Sequence, residues 1–156
     1  MKTHEYTTTL KWTGNRGTGT SDYRAYSRDH EIAGPSKTVT LPGSSDAHFR
    51  GDRARYNPED LLVASLSACH MLSYLHLCAV NHVVVTAYED DAIGALAENS
   101  DGSGEFTAVT LRPRITITPE SDAAKALELH HDAGKLCFIA RGVNFPVRHE
   151  PVISNG

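Results

Sequence analysis

Charge of either sign is missing from one long stretch: Leu61 to Val80 contains no Asp, Glu, Lys, Arg, Gly or Pro. A surface helix carries a charged face, so a helix here is expected to be buried nearly all round. Cysteine is scarce. Three residues, odd in number and widely spaced, build no secreted disulfide framework. A reducing cytoplasm is the compartment this implies, where a disulfide is catalytic or redox-sensing. No signal-peptide pattern opens the chain, since residues 1–12 alternate Thr with charged and aromatic side chains. Basic excess is absent too: 15 Lys and Arg stand against 19 Asp and Glu, a net charge of −4. That balance argues against nucleic acid or an anionic membrane as partner. The apolar stretch has the length of a membrane span. However, it holds Ser65, Ser67, Cys69, His70, Ser73 and His76 and has no companion, which reads as a core helix and no membrane partner.

What is there is enough for one domain over residues 1–156, with a core that needs no staples. Residues 57–80 open with a helix start. Asn57 can cap the free N–H groups, Pro58 suits the first helical position, and Glu59 and Asp60 place negative charge at the positive end of the dipole. Around this helix, residues 4–12 read as a strand, 14–19 as a turn and 21–28 as the returning strand of a hairpin. Residues 37–41 form a short strand and 42–56 a polar loop containing Arg53 and Arg55. Residues 83–88 form a strand that 89–97 continue, and 98–104 a turn. Residues 105–118 alternate as a single strand, with Pro113 marking an edge or a bulge. Ser121 or Asp122 caps a second helix reaching about residue 140, and residues 144–153 are a last strand or extended tail. The order gives an α+β architecture with segregated sheet and helices.

Cys69 poses the chemical question. A free thiol is only about 3 % thiolate at neutral pH, so a nucleophile needs its pKa lowered by two to three units, about 3–4 kcal/mol. Cys69 lies some three turns into its helix, too deep for the dipole to supply that. Burial alone would work the other way. A catalytic Cys69 therefore needs a cation, and arginine is the best choice because it stays charged when half-buried. The plain alternative is a small apolar side chain packed in the core. Cys78 follows nine residues later, on the opposite helix face and about 13 Å along the axis, beyond any disulfide. It reads as core. Cys137 falls in the second helix and can meet Cys69 if the helices pack. His130, seven residues before it, shares its face, so zinc held by these cysteines with His70 or His130 is a second possibility, although the spacing matches no familiar zinc pattern.

Asn57-Pro58-Glu59-Asp60-Leu61-Leu62 followed by Ala64-Ser65-Leu66-Ser67-Ala68-Cys69 resembles the signature of the OsmC/Ohr family. A second cysteine within Leu136-Cys137-Phe138-Ile139 and the order of elements along nearly the whole chain agree with that family. The resemblance implies an OsmC-like fold: antiparallel sheets, a long central buried helix, a second C-terminal helix and an intertwined homodimer. It implies a thiol-dependent peroxidase for organic hydroperoxides, with Cys69 peroxidatic and Cys137 resolving. Glu59 would hold an arginine against the thiolate; Arg16 is the nearest match, with Arg53 and Arg55 as competitors. A straight helix separates Glu59 from Cys69 by about 15 Å, so Glu59 would act through the arginine, a bend or the partner subunit. No cofactor is implied beyond an external dithiol, such as a lipoylated protein. The apolar lining expected from Leu66, Met71, Leu72 and Phe138 favours bulky peroxides over hydrogen peroxide. Two departures stand out: His70 follows the first cysteine where Phe is usual, and Phe138 follows the second where Pro is usual. They leave open a binding or stress-associated protein of the same fold without peroxidase activity. Because neighbours on a helix point about 100° apart, His70 reads as a packed or interface residue.

Overall fold

A computed structural model describes residues 1–156, and the chain divides into two compact units, 1–61 and 62–156. The boundary falls in the first turn of the long helix.

In the first unit, β1 (Thr9–Trp12), β2 (His30–Ala33) and β3 (Leu41–Gly43) form an antiparallel sheet in the order β1-β2-β3. Thr9 pairs with Ala33 and Trp12 with His30. The returning strand expected at 21–28 is therefore displaced to 30–33. The reason lies in residues 21–28, whose carbonyls are used locally. The Arg28 guanidinium donates to the carbonyls of Tyr26 and Tyr23 and lies over both tyrosine rings, 4.1 and 4.4 Å from their centroids. The Trp12 indole N–H donates to the Ser27 carbonyl at 2.9 Å. Gly14 is needed where the loop folds back, since a Cβ there would lie 1.9 Å from the Ser27 oxygen.

α1 (Pro58–Val80) starts as its sequence requires. Asn57 Oδ1 accepts from the Asp60 N–H at 2.7 Å, and Asp60 Oδ2 accepts from the Asn57 N–H at 3.3 Å, a reciprocal cap. His82 in the left-handed region, at φ 59°, turns the chain away beyond the end. α1 is long and apolar enough to cross a membrane by length and composition.

The second unit contains two three-stranded sheets. One has the order β4-β7-β9, from β4 (Val85–Asp90), β7 (Pro113–Ile117) and β9 (Val152–Asn155). The other has the order β5-β6-β8, from β5 (Ile93–Glu98), β6 (Gly104–Leu111) and β8 (Val147–His149). Each central strand pairs antiparallel with one neighbour and parallel with a C-terminal strand, so two of the sheets are mixed rather than antiparallel. Three continuous runs in the sequence thus break at Asp91-Ala92, Arg112 and Glu150-Pro151, each serving both sheets. Pro113 marks neither an edge nor a bulge. It opens the central strand β7, the one position in an interior strand where a missing N–H is tolerated. α2 (Ala123–Leu136) is capped by Asp122, which accepts from the N–H groups of Ala124 and Lys125. It stops short of residue 140, leaving Cys137 as its C-cap.

The core follows α1. Near its start Leu66 packs on Val109 and Leu111 of β6. Farther along, Tyr74 and Cys78 pack with Ile115 and Ile117 of β7 and Ala126, Leu129 and Ala133 of α2. Only the stripe Leu66, His70, Tyr74 and Cys78 is fully buried, at a spacing of four residues. Ala64, Ala68 and Leu72 remain exposed, so one chain does not cover the helix all round.

Candidate active site

α1 supplies Cys69 and the end of α2 supplies Cys137, and the two side chains are neighbours, near enough for Cys69 to act on the Cys137 thiol. All three cysteines are free. Cys69 is half-buried and Cys137 is 1 % exposed. Burial and then the hydrogen bond with Cys69 push the Cys137 thiol up to about 11, while the Ala140 N–H, donating to its Sγ at 3.4 Å, works against them. Cys137 is therefore a protonated thiol at neutral pH. Cys137 is the C-cap of α2, where the backbone becomes extended, at φ −68° and ψ 107°. Cys78 is buried beside Tyr74, away from this pair, and burial raises its thiol.

His70 points elsewhere. Its ring is 1 % exposed, its Nε2 lies 3.0 Å from Nδ1 of His130, and the His149 ring stacks on it at 4.2 Å. Its packed character was legible from helix geometry, but its partners were not. His149 sits in a three-residue strand with no pattern to announce it. No group of three or more His, Cys, Asp or Glu side chains is arranged to hold a metal ion, so the zinc alternative gains no support. Leu66, expected near substrate, is fully buried core instead, because it falls on the buried stripe of α1. Leu72 and Phe138 are open, at 63 % and 80 % exposure.

The remaining residues of interest lie in the first unit. Glu59 is half-buried in the first turn of α1. Arg16 is exposed in the loop between β1 and β2, where Asn15 Oδ1 accepts from the N–H groups of Gly17 and Gly19. Arg55 is engaged by Asp52 at 3.6 Å and Asp29 at 3.9 Å. Arg53 lines a polar cavity of about 260 Å³ with Asp46, His48, Asp52 and Asp60.

A long apolar helix and a shorter second helix over mixed sheets, each bringing one cysteine to the same place, define an α+β protein. The chain belongs to the OsmC-like protein family, whose model matches residues 51–151. At 30 % identity it is similar to the structure of an OsmC-like protein of unknown function from Vibrio cholerae, with a TM-score of 0.87 over 96 % of this chain and 100 % of that one. It is also similar in fold to an organic hydroperoxide resistance protein from Elizabethkingia anophelis, with 18 % identity, a TM-score of 0.68 and 100 % of both chains covered. An organic hydroperoxide resistance protein from Legionella pneumophila shows 18 % identity and a TM-score of 0.67, over 97 % of this chain and 99 % of that one. At that identity the last two speak for the fold alone. Comparison with curated proteins gives no match.

Proposed function

We propose that the protein is a cytoplasmic, homodimeric peroxidase that reduces organic hydroperoxides through Cys69 and Cys137. The observation that carries this reading is the placing of the half-buried Cys69 beside the buried, protonated Cys137 thiol. In the cycle, the Cys69 thiolate attacks the peroxide O–O bond. One oxygen stays on sulfur as sulfenic acid, and the other leaves with a proton as the alcohol. Cys137 then attacks the sulfenic sulfur. Its proton leaves with the hydroxide as water and a disulfide forms, which an external dithiol reduces. No cofactor enters this scheme.

The cation that Cys69 requires is assigned to Arg16, with Glu59 holding it, on the strength of the family signature. Arg53 and Arg55, the latter 3.6 Å from Asp52 and 3.9 Å from Asp29, are the competitors. The uncharged face of α1 left open to solvent supports a second copy as its cover, and a partner subunit would also bring Glu59 within range. The exposed Leu72 and Phe138 favour bulky organic peroxides over hydrogen peroxide.

The test is intact mass after cumene hydroperoxide is added to the reduced protein. The wild type is expected to lose two hydrogens, Cys69→Ser to remain unchanged, and Cys137→Ser to gain one oxygen. A wild type that stays unchanged while its thiols titrate as free would overturn the peroxidase reading and leave a binding role for the fold.

A further inference from the structure

Four aromatic rings from three elements are stacked in the core. Tyr74 and His70 come from α1, His130 from α2 and His149 from β8. Tyr74 stacks on His130 with centroids 3.8 Å apart, His130 shares a 3.0 Å hydrogen bond with His70, and His149 stacks on the other side of His70 at 4.2 Å. Tyr74 Oη also donates to the Ala126 carbonyl of α2 at 3.0 Å. Gly134 of α2 makes room for His149, since a Cβ there would come within 2.9 Å of its Cε1. The stack touches the chemistry through the chain itself: His70 is the residue after Cys69, and His130 lies two helical turns before Cys137. The hydrogen bond between the imidazoles joins the two cysteine-bearing segments, whose residues are 60 positions apart.

This arrangement works only with neutral rings. One facing nitrogen must donate and the other accept. One extra proton puts an uncompensated charge in the core, and a second turns both facing nitrogens into donors. The surroundings offer little to balance it. From β4, the Asp90 carboxylate, which accepts from the Ser67 hydroxyl and the Arg112 N–H, favours charge on His149 but does not act on His70 or His130. From α2, His131 opposes charge on His149. Tyr74 and Cys78 of α1 and Tyr88 of β4 are kept protonated by burial and contribute no charge. Burial accordingly pushes His70 down to about 3 and His130 to about 4, and lowers His149.

We propose that His70, His130 and His149 are positioning residues that hold Cys137 against Cys69 while their rings are neutral and release it on acidification, so that the dithiol pair is gated by pH. The proposal rests on Cys69 and Cys137 being the working pair, and its test needs no hydroperoxide. Reduced protein is equilibrated with oxidised dithiothreitol at about pH 7 and about pH 5. Cys69 and Cys137 give two protons and two electrons to the reagent's disulfide, which becomes the dithiol; alkylation and mass measurement give the disulfide fraction. Released rings bind protons near the free value of about 6.5 whereas the held, buried rings do not, so the wild-type equilibrium constant for the disulfide is expected to fall at least about tenfold between these two pH values. His70→Phe with His130→Phe keeps the rings and removes the titration, so its constant is expected to change less than about twofold. His149→Phe, on the half-buried ring, serves if the double variant does not fold, and is expected to diminish the dependence. A flat wild-type constant overturns the proposal. So does a dependence that persists in the variants, which would belong to the thiols themselves. A purely structural role would lower stability in the variants without flattening the pH profile. If hydroperoxide leaves the protein unchanged while this dependence holds, the peroxidase reading fails and the gate stands.

Discussion

The two thiols of the pair differ in access, and the difference is measurable. Cys137 is almost fully buried and burial holds it as a thiol well above neutral pH, whereas Cys69 is half-exposed. Iodoacetamide at about pH 7.5 is therefore expected to alkylate Cys69 at least about tenfold faster than Cys137, because only the thiolate reacts and only Cys69 is open. Peptide mapping over time checks this, and denaturant should close the gap; equal rates in the native protein would contradict the geometry. Cys78→Ser should leave the pair's reactivity intact while costing on the order of 1–2 kcal/mol, since a hydroxyl replaces a buried thiol beside Tyr74. At this scale the sequence showed unevenly. Cys69, Cys137 and Glu59 stand in a readable signature, and the core role of Cys78 followed from helix geometry alone. The partners of His70 were out of reach, because His130 and His149 become its neighbours only after two further elements fold onto α1.

α1 was the most legible element because cap, charge and apolar run agree over more than twenty residues. Its buried stripe was less so: a helix with no charged residue beyond its first turn does not announce which side faces its own sheets. The strands show a different limit. An alternating pattern reports that a residue faces a core, not which core, so Glu105–Thr118 reads as one strand although Arg112 divides it between two sheets. α2 began where Asp122 predicted and ended early, since Cys137 already has extended ψ. Asp122 accepts two backbone N–H groups there. Asp122→Ala is expected to lower stability by about 1 kcal/mol, read as a shifted urea midpoint with unchanged slope. The cysteine pair at the far end of α2 should react as before; no change in midpoint would mean the cap contributes nothing.

For the molecule as a whole, the open face of α1 and the neutral histidine stack lead to two predictions. If a second copy covers α1, the wild type should run at twice the 17.0 kDa chain mass, and Leu72→Asp, placing a charge on that face, should halve the measured mass. Light scattering decides, and a wild-type monomer would remove the dimer from the proposed function. The stack makes stability depend on pH with a defined sign. His70 and His130 have native pKa values far below the unfolded value near 6.5, so the unfolded chain binds more protons across the interval between them. Their contribution to stability is present in full above about pH 6.5 and is lost as pH falls toward the native values near 4 and 3. From about pH 6.5 to about pH 5 most carboxylates remain ionised, so a loss in that window reports histidine. It should amount to on the order of 1–2 kcal/mol for each of the two buried rings. Urea midpoints at those two pH values measure it, and His70→Phe with His130→Phe should remove most of it. Equal midpoints for the wild type at both would mean that the rings are hydrated or already charged in the folded protein, and that burial does not hold them neutral.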